Sequence, residues 1–165
     1  MEFPPFFGRV SRRRNLMKKS LLIAVMLLGS ALFSFAGLWT EDFDEALAKA
    51  KESGKYVLVD FSGSDWCGWC KRLDKEVFSK KAFKDYAEQN LVCVLIDFPR
   101  QTPQSKKRKD ANQALAEKYS VQGFPTILLF GPQGDVAAKT GYEPGGAEEY
   151  IKHLQGLIDQ HKAKP

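Results

Sequence analysis

The residues predict an α/β domain, a sheet with helices packed on both faces. Apolar runs of strand length alternate with amphipathic stretches of helical spacing, in the order α-β-α-β-α-β-β-α. A Gly131-Pro132-Gln133-Gly134 turn joins two strands directly, so the sheet mixes crossovers with a hairpin. A composition of 44% hydrophobic and 12% aromatic residues supplies a packed core and argues against disorder.

The first 36 residues read as a leader. Lys18 and Lys19 precede an apolar run from Leu21 to Phe35, interrupted by Gly29, Ser30 and Ser34. Ser34 and Ala36 place small residues where a signal peptidase reads, so residues 1–36 are expected to be a secretory signal peptide cut near Ala36. Met17 opens a natural Met-Lys-Lys leader, which makes residues 1–16 an upstream extension of the frame. The apolar stretch is about 15 residues, short of the ~20 that span a bilayer, so no stable membrane insertion is expected after cleavage. Six of the 25 basic and one of the 20 acidic residues lie in this leader. The remaining domain, 37–165, carries 19 of each and lacks the basic surface a nucleic-acid partner requires.

Within the domain, Phe43, Ala46, Leu47 and Ala50 recur at helical spacing, predicting a helix over 41–53 capped by Thr40 and ended by Gly54. Residues 55–61 contain Tyr56-Val57-Leu58-Val59, a buried strand by composition. A turn over 62–65 leads to a helix from Cys67 toward Phe78, with Leu73 and Val77 inward. Residues 80–90 form the next helix, grouping Phe83, Tyr86 and Ala87, and 91–96 the next strand. A polar loop is expected from Phe98 to about Lys107. Next comes a helix over 110–119 with Ala111, Ala114, Leu115 and Ala116 as its apolar members. Strands over 126–130 and 135–139 form the hairpin, and a last helix over 148–161 turns Tyr150, Ile151, Leu154, Leu157 and Ile158 inward.

The chemistry lies in Cys67 and Cys70, two residues apart at the start of a predicted helix. Cα atoms three apart on a helix sit roughly 5–6 Å from each other, within the range a disulfide bridges. Unpaired N–H groups at the helix start favour an anion, and the thiolate is the nucleophile. Cys67 is therefore expected to attack and Cys70, one turn deeper, to resolve, with the first sulfur exposed and the second shielded. Two other uses of such a pair are half of a zinc cluster and a static bridge. A closed zinc site needs four ligands, and the other soft donors are Cys93, His153 and His161, none forming a second pair. So short a loop gives little loop-closure stabilisation, which makes a purely structural bridge a poor use of the bond. Cys93, in an apolar strand, reads as an inert core residue. The run Lys106-Lys107-Arg108-Lys109 reads as a solvated face.

Val59-Asp60-Phe61, then Trp66-Cys67-Gly68-Trp69-Cys70-Lys71, then Gly123-Phe124-Pro125-Thr126 before a strand resemble the thioredoxin superfamily. The resemblance covers nearly all of residues 38–160. Asp60 to Cys67, with Asp97-Phe98-Pro99-Arg100, is similar to a secreted bacterial thioredoxin-like subgroup. It is also similar to the C-terminal periplasmic domain of the transmembrane thiol:disulfide interchange reductase. The resemblance implies the thioredoxin fold, a central mixed β-sheet flanked by helices. It also implies thiol–disulfide exchange by a redox-active Cys67–Cys70 disulfide. Pro125 matches the family's cis-proline, and Asp60 its buried acid, which moves a proton at the resolving thiol. Trp66, Trp69, Phe124 and Pro125 are implied to bind substrate, with Gly68 supporting the pair.

The departures are Gly68-Trp69 in place of thioredoxin's Gly-Pro and one extra residue between Asp60 and Cys67. The lysine that partners the buried acid is replaced near Cys93, and the loop over 98–109 is longer. The expected activity is exchange on protein disulfides outside the cytoplasm, in the reducing or isomerising direction, by a monomer fed by a membrane electron donor. No cofactor, metal or nucleic acid is expected. The alternatives from other classes are a client-binding or chaperone module without turnover, and a copper chaperone using the two thiolates.

Overall fold

The computed structural model describes Met1 and residues 37–164, so the expected leader and its cleavage point lie outside the described residues. The chain runs through β1 (Trp39–Thr40), α1 (Phe43–Ser53), β2 (Tyr56–Ser62) and α2 (Gly68–Leu73), which continues into a π-helical turn (Asp74–Phe78). It goes on through α3 (Lys81–Asn90), β3 (Leu91–Asp97), α4 (Lys106–Lys118), β4 (Thr126–Phe130), β5 (Val136–Thr140) and α5 (Gly146–Lys162). The sheet order is β1-β3-β2-β4-β5. β1, β3 and β2 run parallel, while β4 and β5 are antiparallel to their neighbours.

β2 is central and buried along its whole length, as its apolar run demands. Its side chains alternate between two cores. Tyr56 and Leu58 join a cluster with Leu73, Val77, Phe83, Tyr150 and Leu154, from α2, the π-turn, α3 and α5. Val57, Val59 and Phe61 join the other, with Phe43 and Ala46 of α1 and Ala116 of α4. Full burial of one such side chain contributes roughly 1.5–3 kcal/mol. Asp60 follows Leu58 by two residues, so the same alternation directs it to the face that carries the Cys67–Cys70 helix.

Several boundaries differ from expectation for local reasons. Asp42, not Thr40, caps α1: its Oδ1 accepts the Glu45 N–H at 2.9 Å, while Thr40 Oγ1 accepts from Asp42 N. Gly54 ends the helix as expected, with φ +70°. β1 was not expected. It is two residues long and owes its place to parallel pairing with Cys93 and Val94. α4 starts at Lys106, four residues earlier than expected, because Ser105 Oγ accepts the Arg108 N–H at 3.2 Å. The basic run 106–109 is thus a first helical turn and not a loop. Cations there oppose the helix dipole. Lys106 is paired with Asp110, and Arg108 with Glu41, which offsets part of this. The face that α4 buries holds Asn112 and Ala116, whereas Ala111 and Ala114 are exposed. Asn112 Nδ2 donates to the Asp97 carbonyl at 2.8 Å, which explains a buried amide. Among the described residues no helix is long and apolar enough to cross a membrane.

The cap correction is testable. Asp42→Ala should cost about 1 kcal/mol in denaturant unfolding, and Thr40→Ala clearly less. Equal losses would restore Thr40 as the cap.

Candidate active site

Three chain segments converge at one end of the sheet. β2 ends at Ser62 and leads through a tight turn into α2, where Cys67 N–H donates to the Gly63 carbonyl at 2.8 Å. Gly63 has no substitute here: a Cβ at that position would lie 2.5 Å from the Trp66 ring. β4 pairs with β2 through Phe61↔Thr126, which brings Pro125 beside the end of β2. The Phe124–Pro125 peptide is cis. β3 exits alongside, with Phe98 N–H donating to the Ser62 carbonyl at 2.8 Å.

Cys67 and Cys70 form a disulfide with Cα atoms 5.3 Å apart. Cys67 is the N-cap of α2, and its Sγ accepts the Cys70 N–H at 3.2 Å. The expected difference in exposure is not present in this closed form: Cys67 is 6% and Cys70 5% exposed. What separates the two sulfurs is the cap. The backbone donor points at Cys67, so a negative charge is stabilised there. Gly68 has open space where a Cβ would stand, so packing does not demand glycine.

Asp60 is buried, and one of its carboxyl oxygens has no hydrogen-bond partner. Burial first, then the charges of Asp97 and Asp74, push its pKa up to about 8. A neutral acid tolerates such a site far better than a carboxylate. The position facing Asp60 on β3 is Leu95, while Cys93 faces Leu58. The neighbour expected near Cys93 is therefore two residues further along, and it is apolar. Asp60 and Cys70 line one cleft of about 310 Å³, together with Ser62, Lys71, Asp74 and Leu95. Cys93 is 1% exposed and unbridged, and burial pushes its thiol up to about 12, which keeps it protonated and inert.

The aromatic groups divide into two sets. Trp66 donates its indole N–H to the Phe98 carbonyl at 2.8 Å and meets Phe124 edge-on at 6.0 Å. Phe98 stacks on Phe124 at 5.0 Å, so it belongs to the site and not to a polar loop. Trp69 is 55% exposed and lies against Tyr142, 5.2 Å away. Tyr142 donates to Glu76, which also accepts from Arg72. Arg72 sits over both the Trp69 and the Tyr142 ring. Sequence spacing did not reveal Tyr142, because it arrives from the loop after β5. The π-turn, which no propensity signals, carries Glu76 toward it.

A disulfide at the N-terminus of a helix that follows the central strand, with a cis-proline just before the neighbouring antiparallel strand, is the arrangement of the thioredoxin fold. A family model described as a thioredoxin-like domain matches residues 43–157. Disulfide bond reductase DsbH of Chlamydia pneumoniae is 33% identical over 123 residues, 74% of this chain and 74% of that protein. Thioredoxin-related protein DsbJ of Chlamydia pneumoniae is 31% identical over 162 residues, 88% of this chain but 47% of its own length. The solved DsbH oxidoreductase structure superposes with a TM-score of 0.69 at 29% identity, covering 82% of this chain and 98% of that one. The chain belongs to the thioredoxin-like domain family, and it is a thiol–disulfide oxidoreductase with a Cys-Gly-Trp-Cys pair.

The buried acid sets a pH dependence. A carboxyl near 3.8 when unfolded and near 8 when folded binds its proton more tightly in the fold. Stability from this group is intact below pH 4 and falls as pH rises through 8, by up to about 5 kcal/mol. Asp60→Asn should leave stability at pH 4 nearly unchanged and raise it at pH 9 by about 2–5 kcal/mol, read by denaturant unfolding. An equal effect at both pH values would show that the carboxyl ionises normally.

Proposed function

We propose that this oxidoreductase reduces or isomerises protein disulfides outside the cytoplasm. The observation that carries the reading is the asymmetry around the pair. Cys67 has a backbone donor at its sulfur, and Cys70 shares a cleft with a buried, neutral Asp60. In the reduced protein the Cys67 thiolate attacks a client disulfide, forming a mixed disulfide and expelling the client's other sulfur as a thiolate. Cys70 then loses its proton to water in the cleft it shares with the protonated Asp60 and attacks Cys67 Sγ. The Cys67–Cys70 bond forms, the second client sulfur leaves, and two electrons have passed to the client. Trp66 and Trp69, which flank Cys67 and Cys70 in sequence, and Phe124 and Pro125, ahead of the strand paired with β2, supply the surface against which an extended client segment docks. A membrane electron donor that supplies dithiol electrons returns the pair to its reduced state.

The reducing direction follows from what is missing near Cys67. Gly68 and Trp69 add no cation between the cysteines, so the backbone donor at the helix start is what stabilises the Cys67 thiolate. The relative DsbH is named a disulfide bond reductase, which supports the same direction. Residues 1–36 are read as the signal peptide that delivers the domain over 37–165 to the periplasm, where it acts as a monomer. Reduction of insulin disulfides with a dithiol donor separates this reading from a client-binding module, which would hold insulin without turnover.

The roles of the two thiols predict different trapping. Cys70→Ser should accumulate mixed disulfides with client proteins through Cys67, because resolution is blocked. Cys67→Ser should accumulate few, since the remaining sulfur lacks the capping donor. Non-reducing electrophoresis reads both, and equal trapping would contradict the assignment.

A further inference from the structure

Each tryptophan beside the disulfide carries an arginine on its ring, and the two arginines differ. Arg72, over Trp69, is bound to Glu76 at 2.9 Å. Arg100 lies over Trp66 at 3.6 Å, closer than any other cation–ring pair among the described residues, and no carboxylate there pairs with it. Its place is fixed from the backbone. Asp65, two residues before Cys67, accepts the N–H groups of Arg100, Gln101 and Thr102 at 3.0, 2.7 and 2.9 Å. Those three donors meet the Asp65 charge, and the Arg100 side chain is left to Trp66 and solvent. Trp66 in turn touches Phe124, which precedes the cis-proline. The result is an exposed guanidinium held over an aromatic platform at the edge of the client surface. A guanidinium stacked in this way keeps its edge N–H groups free to grip a carboxylate. The nearby acids are engaged elsewhere: Asp65 with the loop amides and Asp97 with Ser64.

We propose that Arg100 is a specificity-determining residue that selects client segments carrying aspartate or glutamate beside their disulfide. The inference rests on the oxidoreductase reading above and adds the class of client. Two matched disulfide peptides test it, one with glutamates and one with lysines flanking the cystine, reduced by the full chain at low and high salt. The wild type should show a kcat/KM ratio favouring the acidic peptide by about three- to five-fold at low salt, shrinking at high salt. Arg100→Glu should invert the ratio, and Arg100→Lys, which keeps the charge but not the planar stack, should retain part of it. A salt-dependent ratio that follows the charge at residue 100 is something a purely structural anchor would not produce. Equal turnover of the two peptides, or a ratio that Arg100→Glu leaves unmoved, overturns the inference alone. Failure to reduce either peptide overturns the oxidoreductase reading and the inference with it.

Discussion

One constraint governs the site: a carboxyl group placed on the central, wholly buried strand of the sheet, on the face that carries the disulfide helix. β2 has neighbours on both sides and cores on both faces, so water does not reach Asp60 freely. The group responds by holding its proton to about 8. A basic partner would have removed that penalty, but Leu95 faces it on β3. The acid therefore keeps its proton in the cleft it shares with Cys70, where proton transfer is required during each exchange. Groups whose pKa is displaced by burial toward neutrality are suited to such transfer.

The rest of the architecture serves to bring the two sulfurs and their surroundings to the same end of the sheet. Parallel pairing of β2 with β3 and antiparallel pairing with β4 put the end of β2, the start of β4 and the exit of β3 side by side. Each contributes one part: the cysteine pair, the cis-proline, and the segment with Phe98 and Arg100. Gly63 permits the turn that lets Trp66 fold back against this group. The π-turn after α2 serves the opposite flank, since it carries Glu76 to Tyr142 and so fixes Arg72 beside Trp69.

Much of this was legible in the sequence, where local chemistry is strong. The apolar run of β2, the Cys-x-x-Cys spacing and the Gly131–Gly134 turn are strong local signals, and the burial of Asp60 was implied by the family resemblance and by the apolar residues before it. Features that depend on a distant partner were not legible. β1 exists because β3 offers an edge, and Thr40 lost the cap to an aspartate two residues closer to the helix. Ser105 started α4 inside what read as a basic loop. The equal burial of the two cysteines is a property of the folded surroundings, which no spacing rule describes. The Asp65 anchor and the Arg100–Trp66 stack span more than 30 residues of chain and carry no local signature.

The central claim is that the pair is poised to give electrons to clients. A thiolate with one backbone donor and no cation between the cysteines is only modestly stabilised, and a less stabilised thiolate makes a less oxidising disulfide. The equilibrium reduction potential of the Cys67–Cys70 pair, measured against glutathione or a dithiol buffer, tests this directly. A value below about −200 mV, toward the thioredoxin end of the scale, is the result expected. A value near −120 mV, that of a strong periplasmic oxidant, would contradict it and make the protein a donor of disulfides.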